Sequence, residues 1–248
     1  PFESFISLEA GDTVTPIAFS KDNQSIYAIS NKDRDKAALV KYDLQANEEL
    51  ILDNVDVDIS GALYSRSKDK LLYSAYITDK VHYEFLDEEF EIIFHKIRNK
   101  LGVEESDFGI NDYNKEMTKF IVSISSDKVY GKYYYYDATS DELTELAELG
   151  AWLNPDELST MHSISYEARD GLTINGYLTL PVNKVTENLP MIVIPHGGPW
   201  ARDIWGFNPE AQLLANRGYA VLQVNFRSST GYGRAFLEAG NKQWGLAI

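Results

Sequence analysis

Strand-forming segments recur at a regular spacing through residues 1 to about 150, and no other feature limits the fold of this chain as much. Ser20-Lys21-Asp22 leads into Ile26-Tyr27, Ser67-Lys68-Asp69 into Leu72-Tyr73, and Asn114-Lys115-Glu116 into Lys119-Phe120. The offset is about 46 residues each time, the period of four-stranded propeller blades. "SIYAIS", "LLYSAYI" and "KFIVSI" are β-branched and aromatic runs bounded by polar turns, as strands require. Each unit then adds a later strand ending in charge, in "ALVKYDLQANEE", "YEFLDEEFEIIF" and "YYYYDATSDELTEL". The expectation is three blades, preceded by the last strand of another in "FESFISLEAG". A β-sandwich would leave the period unexplained. Closed propellers need roughly 4–8 blades, so this half reads as cut from a longer ring.

Near Leu149 the pattern changes. "GAWLNPDELS" reads as a linker with Pro155 and the capping-type residues Asn154 and Asp156. Asp170-Gly171 then divides two alternating strands, a signal for a tight hairpin. After the loop "VNKVTENL", "MIVIP" is a short continuous apolar run expected of a strand buried on both faces. A helix follows, with Asn208 as cap, Pro209 in its first turn, "EAQLLANR" as its body and Gly218 as its stop. "YAVLQVNF" is the next buried strand, and after the loop "RSSTGYG" comes a helix in "RAFLEAGNKQW". Strand, helix, strand and helix at this spacing predict a parallel α/β sheet. The chain therefore divides into partial β-propeller blades over residues 1–155 and the start of an α/β domain over 156–248.

Composition removes several functions. The 248 residues carry 23 Lys and Arg against 38 Asp and Glu, a net charge of −15, which repels phosphate backbones and anionic lipid. Neither nucleic acid nor membrane is an expected partner. With no cysteine there is no disulfide, thiolate metal site or cysteine nucleophile. The longest apolar run falls far short of the roughly 20 residues that span a bilayer. The chain opens on Pro1, not Met, so cytoplasm and periplasm both remain open. Glu48-Glu49 or Glu88-Glu89 could hold a peptide amine, but spread-out acidic residues read first as a solvated face. The tyrosines of "YGKYYYYD" read as packing residues on alternate faces of a strand, ahead of a stacking platform for bases or sugars.

The loop "PHGGPW", directly after an apolar strand, carries the chemistry. One reading is a connection that merely needs glycine for its backbone angles. A second makes "STGYGRAF" a dinucleotide fingerprint, but Phe236 stands where a third glycine would allow close helix–strand packing. The third is an oxyanion loop, in which backbone N–H groups after an early strand face a developing negative oxygen. Among the serines, none sits in the G-x-S-x-G elbow that such chemistry needs. Ser229 has Gly231 after it but Arg227 before it. If the loop is an oxyanion loop, the catalytic serine, acid and base would have to come from beyond Ile248. His196 precedes any nucleophile and reads as loop-shaping, while His82, His95 and His162 lack an Asp/Ser constellation or metal spacing and read as structural.

The stretch "HGGPWARDIWGFNPEAQLLANRGYAVLQVNFRSSTGYGRAFLEAGNKQWG" resembles the start of the catalytic domain of the prolyl oligopeptidase family of serine peptidases, nearest its acylaminoacyl-peptidase and dipeptidyl-peptidase branch. The resemblance is dense over residues 191–245. It implies a β-propeller capping an α/β-hydrolase domain with a mostly parallel sheet, and cleavage of short peptides through an acyl-enzyme without metal or organic cofactor. It further implies that the Gly198 N–H is one oxyanion donor, with Gly197 shaping the turn. One departure stands out: Ser228 occupies a position where the family usually has glycine, which predicts a different loop conformation. The remainder of the same polypeptide would complete both domains, and the reading leaves room for a homo-oligomer. An esterase bearing a propeller, or a non-catalytic propeller module with a vestigial hydrolase domain, would share these features.

Overall fold

The computed structural model describes residues 3–182 and 187–248. The chain forms two compact units, Pro1–Ile93 with Arg227–Ile248, and Phe94–Phe226. Each unit draws on both halves of the sequence. Part of the loop "VNKVTENL", residues 183–186, lies outside the described residues.

The first unit opens with a meander of β1 (Val14–Phe19), β2 (Ser25–Ser30), β3 (Ala38–Asp43) and β4 (Glu48–Leu52), paired antiparallel in chain order. Alternation places Ala38, Val40 and Tyr42 of β3 on one buried face with Ala28, where Ile6 and Val14 pack against them. The described residues of "FESFISLEAG" form no strand, contrary to the expectation of a preceding blade edge. A second meander, β5 (Ile59–Ser65), β6 (Lys70–Ile77) and β7 (Val81–Phe85), has three strands.

Of "YEFLDEEFEIIF", where a strand ending in charge was expected, Tyr83–Phe85 close β7 and the rest enters α1 (Glu88–Leu101), which stands in place of a fourth strand. The reason is local. Asp87 accepts the Phe90 N–H at 3.0 Å, three glutamates fill the first turn and Arg98 and Lys100 the last, which suits the helix dipole. Phe90, Phe94 and Ile97, spaced at helical period, are fully buried. Phe90 stacks on Tyr73 with ring centroids 5.9 Å apart.

Asp87 is itself buried and paired at 2.8 Å with Lys70. That ammonium, followed by the Phe90 N–H, holds its carboxyl below the usual carboxylate range. A depressed value stabilises the fold above the unfolded carboxylate pKa of about 3.9 and is lost as pH falls through the folded value. Asp87→Asn, which keeps a cap acceptor but loses the charge, should therefore reduce stability at pH 7 by about 1 kcal/mol or less, because Lys70 is largely exposed. It should also flatten the acid limb of a urea-midpoint profile below pH ~4. An unchanged acid limb would remove the ion pair from the account.

The second unit carries the third meander, β8 (Phe108–Tyr113), β9 (Lys119–Ile124), β10 (Gly131–Asp137) and β11 (Glu142–Leu149). Second strands open at Ser25, Lys70 and Lys119, so the predicted period is present in all three sheets. Phe94 meets Phe108 edge-on at 4.8 Å. Tyr136 of β10 is fully buried, and its hydroxyl donates to Asp141 at 2.7 Å, a packing role as expected.

No strand continues through the linker. Asn154 caps a single turn at Pro155–Glu157, and a new sheet begins at Met161. Its strands β12 (Met161–Glu167), β13 (Thr173–Thr179), β14 (Met191–Pro195) and β15 (Ala220–Asn225) lie in the order β12-β13-β15-β14. β12 and β13 form the predicted hairpin, with Gly171 at φ +83° and its N–H on Ala168 O at 2.9 Å. β13 pairs antiparallel with β15, and β14 pairs parallel with β15. One of these three pairings is parallel, where a mostly parallel sheet was expected. A tight turn reverses the chain between β12 and β13, whereas a helical crossover returns it in the same direction between β14 and β15.

The crossover is α2 (Pro209–Asn216), capped by Asn208 through the Ala211 N–H at 2.9 Å. Its Ala211 and Ala215 pack on Val221 and Ile194. Gln212 on the same helix donates to Asp127 O at 2.9 Å and to Ser159 O at 2.8 Å. β14 is not buried on both faces: it is an edge strand, with Met191 55% and Val193 54% exposed. The last helix, α3 (Arg234–Glu238), is shorter than the predicted stretch and belongs to the first unit.

Candidate active site

The loop leaving β14 begins at His196, whose ring stacks on Phe226 with centroids 4.5 Å apart and planes 17° from parallel. Its Nδ1 lies 2.8 Å from Gly197 O, an acceptor only, so that nitrogen carries the proton. Gly198 has φ +140°, and a Cβ built there would stand 2.7 Å from Trp200 N. Both facts demand glycine. Gly197 has no positive φ, and a Cβ on it would meet nothing within 4 Å. The conformational requirement therefore sits at Gly198. Both glycines are exposed, and neither N–H donates a hydrogen bond among the described residues. Two adjacent free amide donors on a fixed turn can receive an anionic oxygen.

The far end of the loop is held by residues that the sequence reading did not single out. Asn225 Oδ1 accepts the Asp203 N–H at 2.7 Å, and Asn225 Nδ2 donates to Asp203 O at 3.0 Å. Gln223 Nε2 donates to Asp203 Oδ1 at 3.0 Å. Burial pushes the Asp203 carboxyl above its ordinary range, opposed by the Gln223 hydrogen bond and by His196. The only signal in the sequence was polar residues within an otherwise apolar strand, which names no partner.

The other candidates have local occupations. Ser228 sits at φ +78°, a region that favours the glycine usual at this position in the family, and its Oγ donates to Leu237 O at 2.7 Å. Asp35 takes the amides that a dinucleotide phosphate would use, its main-chain oxygen accepting Arg234 N–H at 2.8 Å and its carboxylate Ala235 N–H at 2.6 Å. That disposes of "STGYGRAF" as a fingerprint in this chain. Glu48 pairs with Arg34, Glu49 with Lys41 and Glu89 with Lys68. His82 meets Thr78 Oγ1 at 2.8 Å and stacks on Tyr76, His95 lies edge-on to Phe94, and His162 is an exposed residue of β12. A cavity of about 460 Å³ in the second unit is lined by Tyr130, Trp152, Phe207 and Leu213 among others, but by no residue of the loop His196–Arg202.

The sequence profile of the prolyl oligopeptidase family matches residues 205–247. Dipeptidyl aminopeptidase BIII of Pseudoxanthomonas mexicana is 31% identical over 98% of this chain and 35% of its own length. The chain belongs to the prolyl oligopeptidase family. Dipeptidyl peptidase family member 6 of Caenorhabditis elegans is also 31% identical, over 93% of this chain and 34% of its own. The chain thus spans about a third of the length of these family members. Among solved structures, a Mycobacterium tuberculosis puromycin-hydrolyzing peptidase superposes with a TM-score of 0.69 at 19% identity, over 94% of this chain and 36% of that one. An acylaminoacyl peptidase of Pyrococcus horikoshii gives 0.59 at 21% identity, over 91% and 35%. At these identities the likeness speaks for the fold.

Proposed function

We propose that this chain is part of a serine peptidase of the acylaminoacyl- or dipeptidyl-peptidase type, acting on short peptides. The observation that carries the proposal is the loop at Gly197 and Gly198, where a turn that only glycine can adopt leaves two amide donors unused. In this reading residues 1–155 contribute blades of a propeller and residues 156–248 the first strands of an α/β-hydrolase domain. The nucleophile, acid and base come from residues C-terminal to Ile248.

The serine hydroxyl attacks the scissile carbonyl while its proton passes to the histidine. Negative charge collects on the former carbonyl oxygen, which takes hydrogen bonds from the Gly198 N–H and from the amide after the nucleophile. Collapse expels the amine with the proton from histidine, and water hydrolyses the acyl-enzyme by the same sequence. No step calls on a metal or organic cofactor. The substrate is a short peptide, and the remainder of the same polypeptide is the partner that completes both domains. No helix among the described residues is long and apolar enough to cross a membrane.

Treating the full-length protein with a fluorophosphonate and mapping the adduct tests this reading. One labelled serine C-terminal to Ile248, with loss of activity on dipeptide and acylaminoacyl anilides, is expected. Labelling within residues 1–248, or an unlabelled protein inert on both substrates, would overturn it.

A further inference from the structure

Both ends of the glycine loop rest on one strand. Pro195, where the loop leaves β14, stands in register with Val224 of β15. His196 lies on Phe226, the residue just after that strand. Asp203, where the loop returns, is clasped by Asn225 through both its N–H and its C=O, and by Gln223 through its carboxylate. Asn225 is fully buried and Gln223 is 2% exposed, so these amides are held in fixed rotamers away from competing water.

A side-chain amide that satisfies the donor and the acceptor of a single residue works as a two-point clamp. It fixes the position of that residue and the orientation of its peptide planes. Between the register pair at Pro195 and the clamp at Asp203, the intervening residues have both ends tied to the same surface. We propose that Asn225 is a positioning residue for the oxyanion loop, holding the Gly197 and Gly198 amides where a substrate oxygen can reach them, with Gln223 as its auxiliary. The proposal deepens the peptidase reading and rests on it for the purpose of the clamp, though not for its existence.

The Asn225→Leu variant of the full-length protein keeps the approximate volume and removes both hydrogen-bonding functions. The expected result is a kcat about 10- to 100-fold lower on a peptide anilide, a KM within about twofold, and faster amide hydrogen exchange across residues 196–203. Asp203→Ala, which leaves both main-chain bonds to Asn225 in place, should lose about threefold. If Asn225→Leu does not fold, Asn225→Asp, which keeps the shape and the acceptor, carries the same two readings. Wild-type kcat and loop exchange in the Asn225 variant would overturn the clamp, as would an equal loss in Asp203→Ala. A wild-type protein inert on every acyl substrate, whose loop exchange still responds to Asn225→Leu, would sink the peptidase reading and keep the clamp.

Discussion

Replacing Gly198 by Val in the full-length protein should lower kcat by about 100- to 1,000-fold and change KM only a few-fold, the loss expected when one oxyanion donor is misplaced. Two independent facts impose it. Valine is strained at φ +140°, and its Cβ would fall 2.7 Å from Trp200 N, so the turn must re-form around it. The displaced group is an amide whose value rises as charge develops on the substrate oxygen, which is why kcat should carry the loss. Gly197→Ala is the matched control, because its methyl group meets no atom of the chain within 4 Å. It should fold like the parent, and any loss of activity would report substrate approaching from that side. Equal turnover of Gly198→Val and wild type on a dipeptide anilide would remove Gly198 from the mechanism.

The largest stability effect is expected at Phe94. Its side chain is fully buried, edge-on to Phe108, and truncation to Ala should cost about 3–5 kcal/mol from lost transfer energy and the cavity left behind. Ile92, two residues earlier on α1, is 62% exposed. Its truncation should stay within about 0.5 kcal/mol. Urea titration of both variants, read as midpoint shifts at unchanged slope, checks the pair. Similar shifts for the two would mean that α1 does not bury the face assigned to it.

The start of α1 departs from the strand its sequence suggests. "LDEEFEIIF" and the residues after it place Phe90, Phe94 and Ile97 at helical spacing, behind an Asp cap and an acidic first turn. The repeat and the aromatic content favour a strand there, whereas the cap and the spacing of the buried residues favour the helix that forms. By contrast, α2 was legible because its start and stop are written in adjacent residues, Asn208, Pro209 and Gly218. The Asp170-Gly171 hairpin was legible for the same reason, since its turn is closed by neighbours within four residues.

The sequence by itself determined the three strand meanders and their period, the capped α2, the hairpin, the need for glycine after β14, and the family. Each depends on spacing or on chemistry between near neighbours. Tertiary structure decided what depends on partners distant along the chain. It made β14 an edge strand with an open face, because strand order is set by which surfaces find one another. It put Asp35 on the amides of α3, some 200 residues away, and so closed a phosphate site that the glycines suggested. It also brought Asn225 to Asp203 across 22 residues. A buried asparagine must find a donor and an acceptor somewhere, and only the folded chain specifies which backbone supplies them.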